Sequence, residues 1–159
     1  MTDFVTIAKD EFAFLRDDYD YESVAEEDGS NGGFVSFLNP GVGVGVKLQY
    51  EFASDFVFVF VYRLIDGQMR DNSLPITDDS EINCFDFNDY LAKDQKMRPA
   101  YEYGENSIYY DPQNGLLNFV KEFADRLRSH GDSILRGDLS TLPAMEKIIK
   151  KRAEDLRTT

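Results

Sequence analysis

Hydrophobic and polar positions alternate most regularly between Gly41 and Ile65, a stretch that supplies the longest hydrophobic run of the chain. Val42, Val44, Val46, Leu48, Tyr50 and Phe52 fall on one face of an extended segment, with Gly43, Gly45, Lys47, Gln49 and Glu51 on the other, which predicts a strand buried on one side. Phe56 to Tyr62 is apolar on both faces, aromatic on one and valine on the other, so this second strand belongs inside a sheet. The two read as a β-hairpin joined at Ala53-Ser54-Asp55. A three-residue connection pairs Tyr50 with Phe58 and Leu48 with Phe60 and keeps the aromatic faces together. A two-residue connection is the alternative, because the second arm specifies register weakly.

The flanking segments extend this sheet. Phe34 to Leu38 predicts a short strand and Asn39-Pro40-Gly41 a turn into the hairpin, giving a three-stranded antiparallel meander; Ile82 to Phe85 is a candidate fourth strand. Ahead of them, Thr2 or Asp3 can cap a helix whose stripe is Phe4, Ile7, Ala8, Phe12 and Leu15, ending near Arg16. The polar, glycine-rich stretch through Asp17 to Glu22 and Glu26 to Gly33 predicts a loop. Asp86 can cap a short helix carrying Phe87, Tyr90 and Leu91 inward, and residues 98–110 read as irregular and tyrosine-rich. A long helix follows, with Asp111 as cap, Pro112 at its first position, Leu116, Phe119, Val120, Phe123, Ala124 and Leu127 on one stripe, and Gly131 to end it. After a link at Ile134 to Asp138, Thr141 caps a last helix with Pro143 in its first turn. Met145, Ile148, Ile149, Ala153 and Leu156 face inward there, and Lys147, Lys150 and Lys151 outward. The pattern predicts a single α+β domain over residues 1–159, an antiparallel meander of three to four strands packed against about four helices.

Length and composition agree with one domain. At 159 residues the chain is long enough for a single core. Its one cysteine, Cys84, excludes an intramolecular disulfide and a cysteine-rich zinc site. Charges occupy the N-terminus where a signal peptide needs an apolar run, and no apolar run approaches the roughly 20 residues of a membrane helix. The expectation is a soluble cytoplasmic protein, without a membrane partner.

Charge adds a partner class. The net charge is −13, and residues 1–80 hold 16 Asp and Glu against 5 Lys and Arg, a balance of −11. Such a field repels nucleic acid and attracts a basic protein, although acidity also serves plain solubility.

Enzyme signatures are absent: the chain has no Gly-x-Ser-x-Gly elbow, phosphate-binding glycine loop, His-Glu-x-x-His or Cys-x-x-Cys. Gly43 and Gly45 alternate within a strand and are expected to let a neighbouring side chain or helix come close. The one histidine, His130, sits in the last turn of a helix, where its ring can cap free carbonyls. The acidic loops lack the spacing of a calcium site. The expectation is therefore no catalytic residue, no metal and no cofactor. What stands out is acid interleaved with tyrosine, a composition suited to docking Lys and Arg of a partner. The candidate partner-binding residues are Asp17, Asp18, Tyr19, Asp20, Tyr21, Glu22, Glu26, Glu27 and Asp28. A second such run spans Tyr101 to Asp111.

Several features together resemble a family. The N-terminal helix, the meander ending in an aromatic strand and Arg63-Leu64-Ile65-Asp66-Gly67, the helix at Asp89-Tyr90-Leu91, and the late helix leading to His130-Gly131 and Ile134-Leu135-x-Gly137-Asp138-Leu139-Ser140 resemble small acidic bacterial immunity proteins of polymorphic toxin systems and related uncharacterised domains. The resemblance implies an inhibitor of a basic toxin, such as a nuclease, and carries over no functional residue. Two other readings stand beside it. One is a ligand-binding or enzymatic domain with a pocket between the sheet and the C-terminal helices, lined by Tyr50, Phe58, Phe60 and Tyr62. The other is an oligomeric module using the last helix as its interface.

Overall fold

The computed structural model describes residues 3–158. The alternating segments become five strands, β1 (Glu22–Gly29), β2 (Gly32–Asn39), β3 (Val44–Glu51), β4 (Phe56–Arg63) and β5 (Cys84–Asp86). They lie in chain order, each antiparallel to the next. The helices are α1 (Phe4–Glu11), α2 (Phe14–Tyr19), α3 (Phe87–Tyr90), α4 (Gly115–His130), α5 (Asp132–Leu135) and α6 (Leu142–Arg157). The α+β class and the antiparallel meander are as expected; the sheet is one strand wider.

The extra strand corrects the loop expected at Glu22 and Glu26 to Gly33. β1 and β2 form a hairpin in which Gly29 pairs with Gly32 across Ser30 and Asn31. Gly32 makes this turn with φ +149°, and a Cβ there would lie 2.0 Å from the carbonyl oxygen of Tyr50, so no other residue fits. The glycines that suggested a loop are the strand ends that flank a two-residue hairpin turn.

The central hairpin also departs from the expected register. Phe52 to Asp55 form a four-residue connection, which pairs Tyr50 with Val57, Leu48 with Val59 and Val46 with Val61. Val57, Val59 and Val61 face the helices beside Leu48 and Val46, together with Val35, Phe37 and Phe85 from the neighbouring strands, and all of these are buried. Phe58, Phe60 and Tyr62 turn to the opposite face, opposite Gln49, Lys47 and Gly45. A second arm that is apolar on both sides leaves this choice to packing, and each aliphatic chain buried under the helices contributes roughly 1.5–3 kcal/mol. Phe52, expected on the buried face, is exposed in the connection. Of the two strand glycines, Gly45 admits Met69, whose Cγ would stand 2.7 Å from a Cβ; Gly43 serves the turn instead, with φ +76°.

Helices α1 and α4 cover the valine face. Phe4 stacks on Tyr50 at 5.4 Å, while Phe56 at the start of β4 meets Phe119 and Phe123 edge-on at 5.9 and 6.2 Å. Asp3 caps α1, its carboxylate accepting the Val5 N–H at 2.9 Å; Thr2 lies outside the described residues. The first helix breaks at Phe12 and Ala13 instead of running to Arg16, because Phe12, Phe14 and Leu15 all bury their side chains and cannot share one stripe. Helix α4 starts later than expected: Asp111 caps the turn before it, accepting from the Gln113 N–H at 2.8 Å, and Pro112 sits in that turn. Gly131 ends the helix as anticipated. In α6, Leu142 and Met145 are buried, whereas Ile148 is 36% and Leu156 72% exposed. Its inward stripe is thus confined to the first half, since β5, the strand beside it, is only three residues long.

Candidate functional site

Helix α2 and strand β1 mount the expected contact residues on one margin of the molecule. The turn between them is made by Asp20, whose backbone is left-handed at φ +63°. Two tyrosines fix it to the far end of the chain. The Tyr21 hydroxyl donates to the Leu135 carbonyl at 2.9 Å, with the residue only 1% exposed, and burial pushes its phenol well above the ordinary range. The Tyr19 hydroxyl donates to Asp132 at 2.6 Å, its ring carries the Arg136 guanidinium at 5.1 Å, and Arg136 bonds Asp132 in turn at 3.2 Å. Burial and then Asp132 raise the Tyr19 pKa, and that same hydrogen bond holds Asp132 below the usual carboxylate range.

This corrects part of the expected contact set. Tyr21 belongs to the core, where it anchors α2 to α5, and no partner can reach it. Tyr19 is half-buried with its hydroxyl engaged, so it positions the acidic residues around it. Nothing local separates such tyrosines from exposed ones, since the acids flanking them point to solvent; their partners lie 113 and 114 residues away.

The carboxylates themselves are exposed. Asp17 pairs with Arg16 at 3.0 Å, Asp18 with Arg128 at 3.6 Å and Glu26 with Lys9 at 3.2 Å. Asp20, Glu22 and Glu27 have no ion pair within 4 Å among the described residues. Along β1 the register sets Glu26 and Asp28 on the helix side, opposite Val35 and Gly33, and Glu22 and Glu27 on the other, opposite Leu38 and Phe34. A bulge at Val24, between Ser23 and Ala25, reverses the alternation midway. Acid is thereby presented on both sides of a single strand.

Asp28 has a partner the sequence did not reveal. It lines the same groove as Asp3, and the interaction between the two carboxyl groups holds Asp3 below the ordinary range and pushes Asp28 above it. Beside the pair lies a groove of about 540 Å³ lined by Phe4, Gly29, Ser30, Phe52 and Leu116. Asp3 read only as a helix cap, and the strand pairing that brings residue 28 to residue 3 is the hairpin that looked like a loop.

The two edges of the sheet are treated differently. At β5, the side chain of Asn72 acts as a strand partner: its Oδ1 accepts from the N–H groups of Asn83 and Cys84 at 2.7 and 3.1 Å, and its Nδ2 donates to the Cys84 carbonyl at 2.9 Å. At β1, all eight residues are exposed, and among the described residues every backbone–backbone hydrogen bond of the strand runs to β2. One edge is closed by the fold and the other is open.

Tyr50, Phe58, Phe60 and Tyr62 do not line one pocket between sheet and helices, because the register sends Tyr50 to the face opposite the other three. Tyr50 lies on the helix side against Phe4, and Phe58 and Phe60 stack on each other at 5.6 Å on the other side. A cleft of about 390 Å³ near β5 and α6 is lined instead by residues such as Arg63, Ile82, Leu139 and Glu146. Cys84 is a half-buried free thiol beside Tyr62, and burial raises its pKa. No group of three or more potential metal ligands occurs, and no helix is long and apolar enough to cross a membrane, among the described residues. The chain matches no protein-family model, no curated protein and no solved structure.

Proposed function

We propose that this chain is a non-catalytic binding domain that captures and inhibits a basic protein in the cytoplasm, in the manner of an immunity protein facing a toxin such as a nuclease. One observation carries the reading: residues 17–28 hold seven carboxylates and no base, exposed along the end of α2, the Asp20 turn and the edge strand β1, and this margin is tied to α5 by the half-buried Tyr19 and the buried Tyr21. A fixed acidic surface raises the encounter rate with a basic partner and pays little conformational entropy on docking.

The test is capture from lysate of the source organism at low salt, run beside the variant Glu22→Lys/Glu27→Lys. Both substitutions fall on exposed side chains without ion pairs, so the fold is retained. The expected result is a basic protein held by the wild type, released as salt rises, lost to the variant, and inhibited in its own activity when recombined with the wild type. Capture that is indifferent to salt and to charge reversal refutes the proposal.

A further inference from the structure

We infer that β1 is an acceptor edge: it binds an extended, lysine- or arginine-bearing segment of its partner as a sixth strand of the sheet. This rests on the reading of the chain as a binder of a basic protein and specifies how that partner is held. An edge strand presents a row of unsatisfied N–H and C=O groups, which a second strand satisfies with a ladder of hydrogen bonds. Two such edges exist here, and Asn72 occupies the outward groups of β5 at Cys84. The outward groups of β1 have no such cover over eight residues.

The side chains decide the occupant. A second copy of the chain would bring its own Glu22, Glu26, Glu27 and Asp28 alongside these four, and like charges close together across a ladder are destabilising. The carboxylates that guard the edge against self-pairing select a basic strand, and they do so on both faces because the Val24 bulge places Glu22 and Glu27 on one side and Glu26 and Asp28 on the other. At the end of the strand, the groove beside Asp3 and Asp28 has an acidic rim and an apolar wall of Phe4, Phe52 and Leu116, which fits the methylene stem and charged tip of a lysine or arginine.

The probe is a capped eight-residue peptide of alternating lysine and threonine, compared with the same peptide N-methylated at every internal amide, which keeps the charge and removes the strand's donors. At low salt the unmodified peptide is expected to bind the intact chain roughly tenfold or more tightly than its methylated form, the loss of two or more ladder hydrogen bonds. It is also expected to slow amide exchange within Glu22–Gly29 and to leave β5 unchanged. Equal affinity for the two peptides overturns strand addition and leaves attraction by charge alone. Binding of neither peptide, while a basic protein is still captured from lysate, overturns strand addition and spares the binder reading. Binding of the unmodified peptide with no basic protein captured does the reverse.

Discussion

Asp86 offers the sharpest quantitative test of the fold around the sheet. It caps α3, its carboxylate accepting the Asn88 N–H at 2.9 Å, and it lies partly buried at the end of β5 opposite Phe60. Burial pushes its pKa from 3.8 to about 6; the Asn88 N–H, Arg152 and Lys96 pull it down and Asp89 adds to the rise. Because the folded-state pKa lies above the unfolded one, the native state holds the proton more tightly. The favourable contribution is therefore complete below pH 3.8 and is lost as pH rises through 6. The whole swing amounts to about 3 kcal/mol, of which about 2 kcal/mol falls between pH 4.5 and 7.5. Residual solvent access makes these upper values. Asp86→Asn keeps the capping oxygen and removes the titration. Urea unfolding of both proteins across that window should show the variant gaining about 1–2 kcal/mol on the wild type as pH rises, whatever its offset at the acidic end. Parallel stability curves, or a wild type that gains on the variant, would refute the placement of Asp86 in a desolvated site.

Two further substitutions probe the margin that carries the candidate site. Gly32→Ala forces a Cβ toward the Tyr50 carbonyl at 2.0 Å from a backbone at φ +149°, and is expected to cost on the order of 3 kcal/mol in chemical denaturation; a loss below about 1 kcal/mol contradicts the tight β1–β2 turn. Tyr21→Phe leaves the buried Leu135 carbonyl without its 2.9 Å donor and should lower stability by about 1–3 kcal/mol, while capture of a basic protein at low salt stays intact. Capture lost in a folded Tyr21→Phe protein would mean that this tyrosine touches the partner after all.

Legibility from sequence followed what the chain had to bury. The three central strands, the Asn39 turn, the stripe of α4 and its stop at Gly131 were readable because each couples an apolar period to a local turn or cap. Register was not, since Phe56 to Tyr62 is apolar on both faces and only the helices decide that its valines go inward. The last turns of α6 were overread for a related reason: Ile148 and Leu156 keep helical spacing beyond the point where the sheet supplies anything to pack against. The candidate site divides the same way. Its carboxylates are visible as charge, but the tyrosines among them take their roles from α5, far along the chain. β1 left the weakest trace of all, for a strand exposed along its whole length has no hydrophobic alternation to report it. The available signal was the two-residue gap Ser30-Asn31, flanked by glycines and set before a clear strand. A chain with no apolar reason to form this strand forms it by pairing with β2 alone, and the result is an edge whose remaining hydrogen-bonding groups are open to a partner.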